Sequence, residues 1–206
     1  MNIFKKIIFL FAITAVGFSC NDDNHSDTNR SPKKSFLSSL KKLGIKNNDS
    51  TSTIFIAYGS VFASLMKNDQ GIFRGLHFGM NPENVKKSEE MKPDEDDKDY
   101  LFYTIPFDTI AADSNNYYTI SYSFDERGMS EIKAEVFFNT NQDAAQLVKK
   151  LEDFYEKKYQ QPITENEASI WTVRDPNYGK IKIAMSDESY EYGYGKITLS
   201  FYNADY

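Results

Sequence analysis

Residues 118–138 read YTISYSFDERGMSEIKAEVFF, and their pattern is the most direct indication of the fold. Apolar residues alternate with Thr and Ser from Tyr118 to Phe124, and with Glu and Lys from Ile132 to Val136. Such alternation is typical of a strand with one buried and one solvent-facing side. The turn Asp125-Glu-Arg-Gly128 separates the two runs and predicts an antiparallel hairpin. The sheet is therefore expected to be covered on one face only.

Further strands are predicted on both sides of this hairpin. Residues 100–107 precede it and are apolar on both faces. Three more strands are predicted at 169–174, 180–185 and 196–202. The turn Asp175-Pro-Asn-Tyr-Gly179 separates the first two of these. The chain thus contains two groups of three predicted strands.

One helix is predicted before each group of strands. In the first, Asn81 is a suitable N-cap and Pro82 a suitable first residue, and Pro93 requires the helix to stop by Lys92. Asn141 is the predicted cap of the second, whose apolar residues form one helical stripe. The stripe consists of Leu147, Val148, Leu151, Phe154, Tyr155 and Tyr159. The order helix, three strands, helix, three strands predicts a two-layer α+β fold, with an antiparallel sheet and helices on one face.

This fold is assigned to residues 53–206 as a single domain, in which residues 54–66 are also predicted to be helical. Residues 20–52 are rich in Asn, Asp, Ser and Lys and are predicted to be a flexible tether. Residues 1–19 are predicted to be a signal peptide. Their apolar run is too short to cross about 30 Å of hydrocarbon, but it suits a secretory signal.

Cys20 is the only cysteine and follows the apolar run directly. This position predicts that lipid is attached to its sulfur after export, and plain secretion is the alternative. The leader resembles that of bacterial lipoproteins. Asp22 and Asp23 resemble the acidic sorting signal of surface-exported lipoproteins of the Bacteroidota, although they also suit the charged start of a linker. The resemblance implies lipid anchoring through Cys20 in the outer membrane, with the domain on the cell surface and a periplasm-facing orientation as the alternative.

A second resemblance concerns the domain. Gly79-Met80 before a capped helix with Val85, followed by an antiparallel meander, is similar to the superfamily of the β-lactamase inhibitor protein and the small lipoprotein of the outer-membrane assembly machinery. The similarity covers residues 71–140 once and residues 141–203 a second time, without the Gly-Met pair. It implies an exported protein that binds another extracytoplasmic protein.

The composition excludes several other classes of function. The signal peptide contains two of the 24 basic residues, so 22 remain against 30 acidic residues, a net charge of −8. An acidic chain is repelled by nucleic acid, so no nucleic-acid partner is expected. With Cys20 lipidated, no thiol remains for a disulfide or a cysteine zinc site.

Residues for catalysis or cofactor binding are few. His25 lies in the predicted tether, and His77 is expected to be a partly buried structural residue. The acidic residues 94–99 are predicted to be a solvated loop, since the EF-hand pattern is not present. We therefore expect no metal and no cofactor. A hydrolase that uses paired carboxylates is the least favoured functional hypothesis.

Tyr190, Tyr192 and Tyr194 are expected to lie on one face of an extended segment. Exposed tyrosines are frequent at protein interfaces and stack on sugars, whereas in a long hairpin they would pack on the sheet. The leading hypothesis is a non-catalytic, membrane-anchored lipoprotein that binds another protein. A glycan-binding surface lipoprotein is the alternative.

Overall fold

The structure, a computed structural model, describes residue 55, residues 57–107 and residues 116–204. These residues form an α+β fold with eight strands. The strands are β1 Glu95–Asp97, β2 Tyr100–Pro106, β3 Tyr117–Asp125, β4 Gly128–Phe138, β5 Ile163–Glu165, β6 Ala168–Asp175, β7 Gly179–Asp187 and β8 Gly195–Asn203. They make one antiparallel sheet in the order β1-β2-β3-β4-β8-β7-β6-β5.

The sheet consists of two meanders of four strands each. β4 and β8, the last strand of each meander, pair at the centre from Glu131 opposite Tyr202 to Phe138 opposite Gly195. The strand order of the first half is therefore mirrored in the second. Three strands per half were predicted, and the additional ones are β1 and β5. Each has only three residues, which is too short for an alternating pattern to show.

The described helices are α1 Ser60–Met66, α2 Pro82–Glu89, α3 Asn141–Tyr159 and the short α4 Ser189–Tyr192. Asn81 caps α2 as predicted, since its side chain accepts a hydrogen bond from the Asn84 amide at 2.9 Å. The predicted cap Asn141 is wrong by one residue. Thr140 has an extended backbone, and its Oγ1 accepts from the Asp143 amide at 3.1 Å.

The core lies between the helices and one face of the sheet. A row of side chains crosses six strands on this inner face, and each is at most 1% exposed. The row is Leu101, Tyr122, Ile132, Phe201, Ile183 and Trp171. α3 packs on this face through Leu151 and Tyr155, with the Tyr155 ring 5.2 Å from the Trp171 ring. The predicted one-sided sheet is confirmed.

The loop before α2 meets the β3–β4 hairpin. The Gly79 amide donates to the Met129 carbonyl, and the Met129 amide donates to the Met80 carbonyl, both at 2.8 Å. A Cβ atom on Gly128 would lie 2.3 Å from the Gly79 carbonyl oxygen. This close approach requires glycine at position 128, where the backbone φ is also 102°.

One prediction near the first edge of the sheet needs correction. The acidic residues 94–99 are not only a loop, because they include β1. β2, which is apolar on both faces, is buried on one of them, with Leu101, Tyr103 and Ile105 pointing into the core. Beyond β1, the Thr104 amide donates to the Asp94 carboxylate at 2.6 Å.

Candidate functional site

The tyrosine run between β7 and β8 was predicted to be extended. This prediction is wrong, because the run contains the helix α4. The Asp187 carboxylate accepts a hydrogen bond from the Ser189 amide at 3.0 Å, and the helical turn itself is closed by the Glu191 amide donating to the Glu188 carbonyl at 3.1 Å. Gly193 ends the turn in the left-handed conformation, with φ 73°. The tyrosines therefore do not share one face of a strand, and each has its own environment.

Tyr190 is 96% exposed, Tyr192 49% and Tyr194 39%. The rings of Tyr192 and Tyr194 are 5.7 Å apart, and the Tyr194 ring is 6.4 Å from Phe137. Phe137 in turn stacks on Tyr117 of the neighbouring strand at 4.7 Å. We call Tyr117, Phe137, Tyr192 and Tyr194 the aromatic strip. The strip lies outside the hydrophobic core, on the sheet face that points away from the helices.

Lys196 fixes the loop that holds these tyrosines. Its ammonium lies 2.8 Å from Glu188, 3.5 Å from Glu135 and 4.0 Å from the centre of the Tyr192 ring. Burial alone would lower the pKa of Lys196, but its hydrogen bonds to Glu188 and Tyr192 and the nearby carboxylates raise the pKa overall. The lysine is therefore charged at neutral pH and holds the Tyr192 ring against the sheet by a cation–π interaction.

A second polar cluster, which the sequence did not indicate, is buried beneath α1 and α2. Arg74 and Glu89 are each 4% exposed. The Arg74 guanidinium donates to the Glu89 carboxylate at 2.9 and 2.7 Å, and to the carbonyls of Ser64 and Leu65 at 2.7 and 2.8 Å. The Tyr122 hydroxyl donates to the same carboxylate. The cluster connects both helices to β3, which indicates a structural role.

The charges in this cluster are mutually stabilised. Burial alone would lower the pKa of Arg74, but the charge of Glu89 raises it well above its ordinary value. Burial alone would raise the pKa of Glu89, but the charge and hydrogen bonds of Arg74 lower it overall. Burial and the Glu89 charge together raise the pKa of Tyr122. The pair is thus ionised and the tyrosine neutral at physiological pH.

A cavity of about 560 Å³ opens beside the first described residues of the domain. It is lined by Ala57, Tyr58, Asp69, Asp153, Phe154, Lys157 and Lys158. The Asp153 carboxylate accepts from the Tyr58 hydroxyl at 2.7 Å and from Lys157 at 2.6 Å, and Lys158 donates to the Asp69 carbonyl at 2.8 Å. Tyr58 and Phe154 give this cavity an aromatic wall among its charged residues.

His77 was predicted to be partly buried, and this is wrong, because the side chain is exposed beside the loop that leads to α2. Among the described residues, no three His, Cys, Asp or Glu side chains are grouped as metal ligands. In the same part of the chain, no helix has the length and apolar composition needed to cross a membrane.

Three predicted functional residues, Cys20, Asp22 and Asp23, lie outside the described residues. Their predicted roles in lipid attachment and sorting stay predictions. The same holds for the resemblance of the domain to a known superfamily. Comparisons of the chain with protein-family models, with curated proteins and with solved structures found no similar protein.

Proposed function

We propose that this chain is an exported lipoprotein whose domain binds another extracytoplasmic protein without catalysing a reaction. In this proposal, lipid on Cys20 holds the protein in the outer membrane, and Asp22 and Asp23 direct it to the cell surface. The support for anchoring is the order of residues in the leader: two lysines, an apolar run of about twelve residues, and the single cysteine.

The observation that supports protein binding is the exposed aromatic strip together with Tyr190. Protein interfaces are enriched in Tyr and Phe, and a buried aromatic side chain contributes about 150–250 Å² of contact area. The strip is already ordered on the sheet by the Tyr117–Phe137 stack and by Lys196. A partner would therefore lose little conformational entropy in ordering these side chains.

The polar groups around the strip suit the rim of such an interface. Lys196 is paired with Glu188 and Glu135, and Glu135 also accepts from Lys133 at 3.1 Å. These charges are neutralised locally, so covering the aromatic strip leaves no isolated charge among them. A polar rim around an aromatic centre is the usual organisation of a protein interface.

Site-specific photo-crosslinking in intact cells tests this proposal. A photoreactive phenylalanine analogue replaces Tyr190 or Tyr194 in the full chain, and Lys149 on the exposed side of α3 serves as the matched control position. We expect one discrete crosslinked protein from positions 190 and 194 and none from position 149. In a chain with the analogue at Tyr190, the added substitution Phe137→Ser should reduce the crosslink. Identical products from all three positions, or a crosslink unaffected by Phe137→Ser, would contradict the proposal.

Glycan binding is the second candidate, and the exposure of Tyr190 favours it. At 96% exposure, both faces of this ring are open to solvent, as stacking on a sugar requires. Affinity electrophoresis in gels that contain cell-surface polysaccharide measures this directly. Retardation of the wild type that is lost in Tyr190→Ala but kept in Tyr190→Phe would support glycan binding over protein binding.

A further inference from the structure

The sheet face away from the helices, which we call the outer face, is made of the side chains that alternate with the core residues. Its central row consists of Phe102, Ser121, Lys133, Ser200 and Ala184, on five neighbouring strands. None of these side chains belongs to the core cluster, and all are half-buried by their neighbours alone. Apart from Lys133 at its centre, the row has small side chains between Ser121 and Ala184, and these allow another surface to approach the sheet closely.

The charges on the outer face are divided between its two halves. Apart from Asp125 at the end of β3, which pairs with Arg127 in the hairpin turn, the strands β1 to β4 place four carboxylates and one lysine there, a net charge of −3: Glu95, Asp97, Glu131, Glu135 and Lys133. The strands β5 to β8 place one carboxylate and four cations there, a net charge of +3: Glu165, Arg174, Lys180, Lys182 and Lys196. The boundary lies between β4 and β8, where Lys196 contacts Glu135.

From this division we infer that the outer face binds a second copy of the same chain. A twofold axis that runs parallel to β4 and β8, between two facing sheets, places the acidic half of each copy over the basic half of the other. An axis perpendicular to the strands would place like charges together. The charge pattern therefore selects one symmetric dimer, with the same surface used by both copies.

The area of the outer face is sufficient for such a dimer. The six longer strands, each occupying about 4.8 Å of width, span roughly 29 Å, and their average length of about nine residues at about 3.3 Å each spans roughly 29 Å. The resulting area of roughly 800 Å² is what each partner contributes to a stable interface of ordinary size. Face-to-face packing of twisted sheets at a small angle is also a common arrangement.

The aromatic strip lies on this same face, beside the central strands β4 and β8. The twofold rotation keeps the ends of the strands in place, so it brings the two strips opposite each other at one end of the dimer. A partner protein that binds the strip therefore competes with the second copy at that end, whereas the charged rows nearer the middle of the strands carry the charge complementarity between copies. The two proposals can therefore be tested by separate substitutions, at charged residues for the dimer and at aromatic residues for the binding partner.

Sedimentation of the full chain, in excess detergent so that anchors do not share a micelle, tests the dimer. We expect a dimer at about 1 mM protein in low salt. Salt should dissociate it, because the screening length falls from about 10 Å at 0.1 M to about 3 Å at 1 M. A wild type that stays monomeric at about 1 mM, or a dimer that salt does not weaken, would overturn the inference.

Charge-reversal variants identify the surface. Glu95→Lys with Glu131→Lys changes the acidic half from −3 to +1, and Arg174→Glu with Lys182→Glu changes the basic half from +3 to −1. Each variant alone should dimerise at least about tenfold more weakly than the wild type, because its face has one sign of charge. Mixed together, the two variants should form a heterodimer. Two results would show that the dimer does not use this face: each variant alone associating as strongly as the wild type, or the mixture of the two variants failing to form a heterodimer.

Discussion

Arg74 and Glu89 form an ion pair inside the domain, with the guanidinium 2.7 Å from the carboxylate and the two side chains 5% and 1% exposed. The two residues belong to different elements, since Arg74 is in the loop after α1 and Glu89 is the last residue of α2. Their contact therefore fixes how these elements sit on the sheet. Both charges are removed from water by burial, so each residue needs the opposite charge of the other to stay ionised inside the domain.

Removal of one partner should be more harmful than removal of both. Arg74→Met leaves the buried Glu89 carboxylate with only the Lys67 ammonium, 3.9 Å away, as a cation and is expected to cost about 3–5 kcal/mol of unfolding free energy. The double variant Arg74→Met with Glu89→Leu should be more stable than either single variant. Urea denaturation of the four proteins measures this, and strictly additive losses would mean that the two charges are not coupled.

The same pair predicts a specific dependence of stability on pH. Because the pKa of Glu89 is lower in the folded state than in the unfolded state, its contribution is complete above the unfolded pKa of about 4.3. The contribution is lost as pH falls below that value and through the folded pKa. The urea concentration at which half of the protein is unfolded should therefore fall less steeply, as the pH is lowered, in Glu89→Gln than in the wild type. Glu165→Gln, on the exposed strand β5, should keep the wild-type slope.

Leu151 tests the packing of α3 on the sheet. Its side chain is fully buried, and Leu→Ala at such sites costs about 2–5 kcal/mol. Lys149→Ala, at an exposed position on the same helix, should change the free energy of unfolding by less than about 0.5 kcal/mol. Thermal unfolding of both variants compares them, and equal shifts in melting temperature would contradict the assigned buried face.

Cys20→Ser tests the lipid anchor. Without the thiol, no diacylglycerol can be attached, so the variant should move from the detergent phase to the aqueous phase or accumulate as an uncleaved precursor. Detergent phase separation followed by immunoblotting measures this. If Cys20→Ser partitions like the wild type, another feature holds the protein in the membrane.

Asp22 and Asp23 test the sorting signal independently of the anchor. Replacement of both by Ala should keep the protein in the membrane fraction but protect it from protease added to intact cells. The wild type should be digested under the same conditions. Equal protease sensitivity of the two forms would contradict a role of these aspartates in sorting to the cell surface. It would not affect the prediction that Cys20 carries the lipid anchor.

The longer elements could be predicted from sequence because their patterns are local. β3, β4 and α3 have alternating or helical apolar patterns over at least nine residues each. β1 and β5 could not be predicted, since three exposed residues contain no period, and their pairing is decided by the neighbouring strand. The cap of α3 was misplaced because Thr140 and Asn141 are both good cap residues.

The candidate site was only partly predictable. The exposure of Tyr190 agrees with a tyrosine-rich surface. The segment is not extended, however, because the Asp187 carboxylate accepts a hydrogen bond from the Ser189 amide, and such a local bond competes with the extended backbone. The ion pair of Arg74 and Glu89 joins residues 15 positions apart. It also requires Arg74 in the left-handed conformation, with φ 54°. An arginine inside the apolar run of residues 71–79 was the signal that could have indicated it.

The edge of the sheet formed by β1 and β2 is built in a way that opposes aggregation. An open sheet usually risks growth by edge-to-edge pairing with other chains. At the first edge of this sheet, all three residues of β1 are acidic. On β2, past the end of β1, the Thr104 amide already donates to the Asp94 carboxylate, and Pro106 has no amide hydrogen to donate. Addition of a foreign strand at this edge is therefore disfavoured, so even at high local concentration the protein is protected there from fibril-like polymerisation.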